Sequence, residues 1–143
     1  TCALPIFGVK SRGATLTAQL LEVNITYDLC LLRAALLDAP ALTRGNAQEL
    51  RIGQRVYALG APLGLELTFT EGLVSGLRRE GGYDLIQTSA AVSPGSSGGA
   101  LLAEDGRLVG IVSFKLSDAQ GRGENLNFAM PVDLLDEFRE LPR

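Results

Sequence analysis

Short runs rich in Leu, Val, Ile, Phe and Thr, most of them stopped by Gly, Pro, Asn or Asp, constrain the fold of this chain more than any other feature. Between Ala14 and Leu21 the apolar Leu16, Ala18 and Leu20 alternate with Thr15, Thr17 and Gln19, the period of a half-buried strand. Further runs follow at Leu29–Leu32, Arg55–Leu59, Leu67–Thr70, Leu73–Leu77, Leu85–Thr88, Gly99–Leu102, Leu108–Phe114 and Asn125–Ala129. Asp105-Gly106, between two of these runs, is a hairpin signal. Many short strands at this spacing predict an all-β sandwich or barrel and not alternating βα units. Helical spacing is confined to a turn near Asn46–Leu50 and to the tail. There Pro131 opens a stretch with Leu134, Leu135, Phe138 and Leu141 on one face and Asp133 at its start. Residues 33–53 read as a connector between an earlier and a later β unit.

Composition narrows the class. With 143 residues the chain has room for one domain or two very small ones. Its 46% hydrophobic and 20% charged residues argue against a disordered segment. No run is long and apolar enough for a transmembrane helix, and the first ten residues lack the pattern of a signal peptide. Thirteen Lys and Arg against sixteen Asp and Glu give a net charge of −3 with no basic stripe, which excludes phosphate-led nucleic-acid binding as the expectation. Cys2 and Cys30 allow one bridge or none, and Cys30, inside LCLL, reads as a buried free thiol. No Cys/His cluster has zinc spacing and no acidic pattern matches an EF-hand, so no metal and no cofactor are expected. There is no histidine.

Two places carry chemistry. Ser93-Pro-Gly-Ser-Ser-Gly-Gly99 puts serines in a glycine cage directly before a strand. Glycines permit unusual dihedrals and close approach of a carbonyl, and successive N–H groups can then face one concavity. The same residues also suit a tight Gly/Ser turn; without the Walker lysine they do not suit a nucleotide loop. Asp28, immediately before LCLL, is either a strand-start residue or a carboxylate placed to orient an imidazole. Tyr57 and Phe69 read as core aromatics, and Asn125 and Asn127 as providers of turn and strand hydrogen bonds.

TYDLCLLRA, RIGQRVYALGAPLGLELTFTEGLVSGLRR, IQTSAAVSPGSSGGALLAEDGRLVGIVSF and ENLNFAMPVDLL together resemble, in order, the trypsin-like serine proteases of the Deg/HtrA type, compact bacterial members above all. The resemblance runs from about residue 14 to residue 140. It implies an all-β chymotrypsin-like double β-barrel: a partial N-terminal barrel over residues 1–45, then a C-terminal barrel with a terminal helix over 46–143. It implies Ser97 as nucleophile, Asp28 as the acid of a Ser-His-Asp triad, and the N–H groups of Gly95 and Ser97 as the oxyanion hole. Ala91, Val92, Ile111, Ser113 and Lys115 fall where the family lines its primary substrate pocket. None of these is an acid, so small or mid-sized apolar side chains are expected rather than Lys or Arg. Ser96 occupies the position where proteolytically matured trypsins carry an Asp that pairs with a new N-terminus, so that activation route is not expected.

The sequence departs from the family at the general base. By the family's spacing the histidine falls just before Thr1, and neither Lys10 nor Lys115 stands in its place. The expectation is a serine endopeptidase acting on polypeptides, seen here as a truncated, inactive stretch. The alternative is a pseudoprotease that serves as a peptide-binding or scaffold module. An incomplete first barrel also predicts homo-oligomers or strand exchange through that barrel, and the family suggests a bacterial envelope location, periplasmic or secreted.

Overall fold

The computed structural model describes residues 6–35, 38–61, 67–80, 82–113 and 126–138. The chain divides into two compact units, Thr1–Ala41 with Leu135–Arg143, and Leu42–Leu134.

In the first unit, β1 (Ile6–Ser11), β2 (Ala14–Asn24) and β3 (Leu29–Ala34) form an antiparallel sheet in the order β1-β2-β3. The alternation read in the sequence is realised: Ala18 is fully buried, Leu16 and Leu20 are half-buried, and Thr15, Thr17 and Gln19 are exposed. β1 is not legible as a strand from its residues alone. It is paired by a two-residue turn in which Arg12 and Gly13 have φ of 47° and 82°, the left-handed geometry that matches strand twist. A register shift between Leu20 and Glu22 bends β2. Cys30 is exposed, against expectation, because the face of β3 that carries it lies outward; Leu29 is the buried member of the pair.

The second unit is a closed barrel of β4 (Arg55–Gly60), β5 (Thr68–Glu80), β6 (Tyr83–Thr88), β7 (Ala100–Ala103), β8 (Leu108–Ser113) and β9 (Asn127–Pro131), in the order β4-β5-β6-β9-β8-β7. A barrel with so few strands is narrow, and small residues fill it: Ala58, Ala90, Ala103 and Ala129 share the core with Val56, Val74, Ile86, Leu101, Val109 and Val112. The runs 67–70 and 73–77 are one strand, not two. Gly72, which reads as a break, lies in β5 where the strand passes against the Ser89–Ala90 backbone; a Cβ there would come within 2.5 Å of the Ala90 Cα. Tyr57 and Phe69 are corrected from core to outer face. They lie on adjacent strands with ring centroids 5.0 Å apart, and Phe69 is 58% exposed.

Asp105-Gly106 makes the expected hairpin between β7 and β8, closed by Ala103 N–H to Arg107 O at 2.9 Å. Arg107 Nε donates to Asp105 Oδ2 at 2.7 Å, and this bond, more than the charge alone, lowers the Asp105 pKa from the ordinary aspartate value. A depressed native pKa gives a contribution present above the unfolded pKa and lost as pH falls through the native one. Side-chain NMR titration is expected to place the Asp105 midpoint below that of an unpaired aspartate and to return it upward in Arg107→Ala; equal midpoints in the two proteins would show the pair to be idle.

Asn46 caps the 3-10 turn Ala47–Glu49 through Oδ1, which accepts from Gln48 N–H at 2.9 Å. The tail helix is a 3-10 segment, Val132–Glu137, rather than an α-helix, and Leu141 lies outside the described residues. Asp133 lies in the first turn of that segment, as expected, and its Oδ2 also accepts from the Ala47 N–H at 3.1 Å.

Candidate active site

The loop between β6 and β7 is built on the barrel from both sides. Approaching it, the chain is held by side chains: Thr88 Oγ1 donates to Leu73 O at 2.9 Å and accepts from Ala90 N–H at 3.1 Å. Asn127 Nδ2 donates to Ala90 O at 2.9 Å, and Thr70 Oγ1 to Ala91 O at 2.8 Å. These bonds fix the path into Ser93. Asn127 does what the sequence suggests, whereas Thr70 and Thr88 carry no local signal because their partners lie on other strands.

Within the loop, Ser96 N–H donates to Ser93 O at 2.9 Å and Gly99 N–H to Ser96 O at 2.9 Å. β8 grips the far end: Gly98 N–H donates to Val112 O at 2.9 Å and Val112 N–H to Gly99 O at 2.8 Å. Gly95 has φ of 94°, which L side chains rarely adopt, and its N–H donates to no described residue. Ser97 follows, exposed, in the turn before Gly98 (φ 83°). Ser96, by contrast, is 8% exposed, and its Oγ accepts from Ser93 N–H at 3.4 Å. Of two adjacent serines, one is folded inward as a prop and the other is presented outward. Chemically, an outward hydroxyl beside a glycine-shaped bend suits attack on a carbonyl, with main-chain donors at hand for the oxygen that becomes negative.

The other predicted positions are placed as follows. Asp28 ends the Ile25–Asp28 turn before β3, exposed, with φ of 54°; Tyr27 N–H donates to Asn24 Oδ1 at 3.2 Å across the same turn. Ala91 lines a cavity of about 40 Å³ with Ala58, Leu59, Gly60, Thr68, Ser93, Ser96 and Val112. Val92, Ile111 and Ser113 do not line it. Val92 packs against the barrel core, and Ile111 and Ser113 share the face of β8 opposite Val112. Ser113 is buried, and its Oγ has no hydrogen-bond partner among the described residues. Lys115 and Asn125 lie outside the described residues. A larger cavity, about 420 Å³, is at the other end of β4 and β7, bordered by Gln54, Glu104 and Arg107. Its polar side chains are largely engaged with one another, Asn46 with Glu49 at 3.2 Å and Asp105 with Arg107. Among the described residues no cluster of His, Cys, Asp or Glu could hold a metal ion.

Comparison with known proteins shows the family and the fold. The family model described as a trypsin-like peptidase domain matches residues 3–111. A probable DegP-like periplasmic serine endoprotease of Halomonas elongata is 36% identical over 126 residues, covering 85% of this chain and 26% of the relative. Serine protease PepD of Mycobacterium tuberculosis is 38% identical over 141 residues, covering 86% of this chain and 30% of the relative. The chain thus spans under a third of the length of these relatives. Among solved structures, the HtrA-type protease AlgW with a decapeptide superimposes with a TM-score of 0.82 at 36% identity, over 92% of this chain and 42% of that one.

Proposed function

We propose, for a chain that belongs to the trypsin-like peptidase domain family and within it to the Deg/HtrA type, that it supplies the nucleophile, the oxyanion hole and the triad acid of a serine endopeptidase. The observation that carries this reading is the loop 93–99, in which an exposed Ser97 follows a left-handed Gly95 on a backbone fixed by β8. Ser97 Oγ attacks the scissile carbonyl and forms a tetrahedral adduct. The N–H groups of Gly95 and Ser97 take up its negative oxygen; losing one such donor typically costs about 2.7–4 kcal/mol of transition-state stabilisation. Asp28 orients the imidazole that accepts the Ser97 proton and later delivers it to the leaving amine. Residues 1–143 contain no histidine, so in this reading another segment of the full-length protein supplies the imidazole, and this stretch turns over no peptide by itself.

The substrate class is polypeptide, in keeping with the decapeptide that accompanies AlgW in its solved structure. Ala91, Val92, Ile111 and Ser113 offer no acid to a basic side chain, which supports a preference for small or mid-sized apolar residues before the cleaved bond. The Halomonas relative is named as a periplasmic protein, which supports a periplasmic setting.

The full-length protein is expected to hydrolyse a reduced and alkylated polypeptide. Asp28→Asn is expected to lower kcat by about 10⁴-fold, as loss of the orienting acid does in triad enzymes, with KM little changed. Hydrolysis at the same rate in Asp28→Asn would remove this residue from the triad. The absence of histidine favours one second reading, a peptide-binding module without turnover. It predicts peptide binding by the full-length protein with no cleavage products on prolonged incubation.

A further inference from the structure

The loop that presents Ser97 rests, backbone on backbone, on the last two residues of β4. A Cβ added at Gly99 would strike the Leu59 carbonyl oxygen and come within 2.8 Å of Ser96 O. A Cβ added at Gly60 would meet Ser96 Cα and Cβ at 3.2 Å and Ser96 Oγ at 3.3 Å. Gly60 itself does not have a left-handed φ. Alanine is therefore conformationally acceptable at position 60, and the tight contact with Ser96 is what opposes it. We infer that Gly60 is a positioning residue for the nucleophile: the missing side chain sets how deep Ser96 sinks into the barrel, and with it the heights of Gly95 N–H and Ser97 Oγ on either side. This inference rests on Ser97 being the nucleophile.

The neighbouring cavity decides how such a clash would be relieved. About 40 Å³ lined by Gly60, Ser93 and Ser96 gives the Ser96 hydroxyl somewhere to turn. It does nothing for Ser96 Cα, which belongs to the main chain. Gly98 and Gly99 are tied to Val112, so the far end of the loop cannot follow. A methyl at position 60 therefore displaces the Gly95–Ser97 backbone by a few tenths of an ångström against a fixed anchor. Rates in oriented active sites are sensitive to such shifts: a displacement of about 1 Å can cost about a hundredfold.

The geometry also names the compensating change. Replacing Ser96 by Gly removes two of the three atoms nearest a residue-60 methyl, and it frees the main chain at 96 to carry the third, Cα, aside. In the full-length protein, Gly60→Ala is expected to slow inactivation by diisopropyl fluorophosphate about tenfold and to lower kcat on a polypeptide with KM held within about twofold. Gly60→Ala/Ser96→Gly is expected to react within about threefold of Ser96→Gly alone. A purely structural role would lower the melting temperature without this split and without the rescue. Should Gly60→Ala not fold, Ser96→Thr presses the same contact from the other side and is expected to give the same slowing.

If the wild-type protein reacts and Gly60→Ala reacts equally fast, the inference is overturned and the reading of Ser97 stands. If the wild-type protein does not react at all, the reading of Ser97 fails, and amide exchange then decides the contact. The Gly98 N–H, held by Val112, is expected to exchange about tenfold faster in Gly60→Ala than in wild type, and no faster in the double variant than in Ser96→Gly. Equal exchange in Gly60→Ala and wild type overturns the contact as well.

Discussion

Ser97→Ala in the full-length protein is expected to abolish peptide hydrolysis while leaving folding and peptide binding as they were. Losing the nucleophile of a Ser-His-Asp triad lowers kcat by roughly 10⁶-fold, and the remainder over water comes from binding and the oxyanion hole. The side chain is exposed, and main-chain bonds of Ser96, Gly98 and Gly99 fix the loop around it. Its removal is therefore expected to change stability by no more than about 0.5 kcal/mol. Ser96→Ala makes the informative companion. It removes a buried acceptor of the Ser93 N–H and is expected to loosen the loop, lowering kcat far less than Ser97→Ala does. Steady-state hydrolysis with thermal melting separates the two. Undiminished turnover in Ser97→Ala would place the nucleophile elsewhere.

The second large effect concerns the barrel. Gly72→Ala is expected to be the most damaging single methyl that can be added to β5. Its Cβ would lie within 2.5 Å of Ala90 Cα and 2.7 Å of the Ser89 carbonyl carbon, both main-chain atoms. Neither can swing aside. Ser89 N–H is bonded to Leu73 O at 3.0 Å, and Ser89 Oγ accepts from Leu73 N–H at 2.9 Å, so the two segments are locked together beside the clash. Overpacking costs typically about 1–3 kcal/mol, and a collision with immobile backbone belongs at or above the top of that range. Chemical denaturation should show a loss of about 3 kcal/mol with an unchanged m-value. The segment that would be displaced leads directly into the Ser93–Gly99 loop, so reactivity at Ser97 is expected to fall with stability. A Gly72→Ala protein as stable as wild type would mean that β5 does not pass against residues 89–90.

Much of this molecule is legible in its sequence, and the gaps have physical reasons. Alternation exposes β2, because Leu16, Ala18 and Leu20 face the opposite way to Thr15, Thr17 and Gln19. Asp105-Gly106 sets the β7–β8 hairpin by turn chemistry alone. Local patterns fail where glycine has a tertiary cause. Gly72 interrupts the strand pattern of β5 yet lies inside it, since its bare backbone is what lets another segment approach. β1 is hidden because Gly8 breaks its apolar run, and the Arg12-Gly13 turn is less distinctive than Asn-Gly. Size alone assigns Tyr57 and Phe69 to the core, but the period of β4 and β5 turns both outward, where they cover each other. In the tail, the spacing of Leu134, Leu135 and Phe138 suits an α-helix, whereas the described segment is a short 3-10 turn.

The site divides in the same way. The glycine-serine loop and Asp28 stand out as strings. The parts that hold the loop, Gly60, Thr70, Thr88 and Asn127, act across strands distant in sequence and give no local pattern. Ala91 lines the cavity beside Ser96, and Ile111 and Ser113 share the face of β8 opposite Val112, a placement that spacing along the chain does not express.

Peptide mapping by mass spectrometry, after the full-length protein has reacted with diisopropyl fluorophosphate, tests the central claim most directly. A single phosphoryl adduct on Ser97, absent from Ser93 and Ser96, is the predicted result. An adduct on a different serine, or none after complete exposure to the reagent, would contradict it.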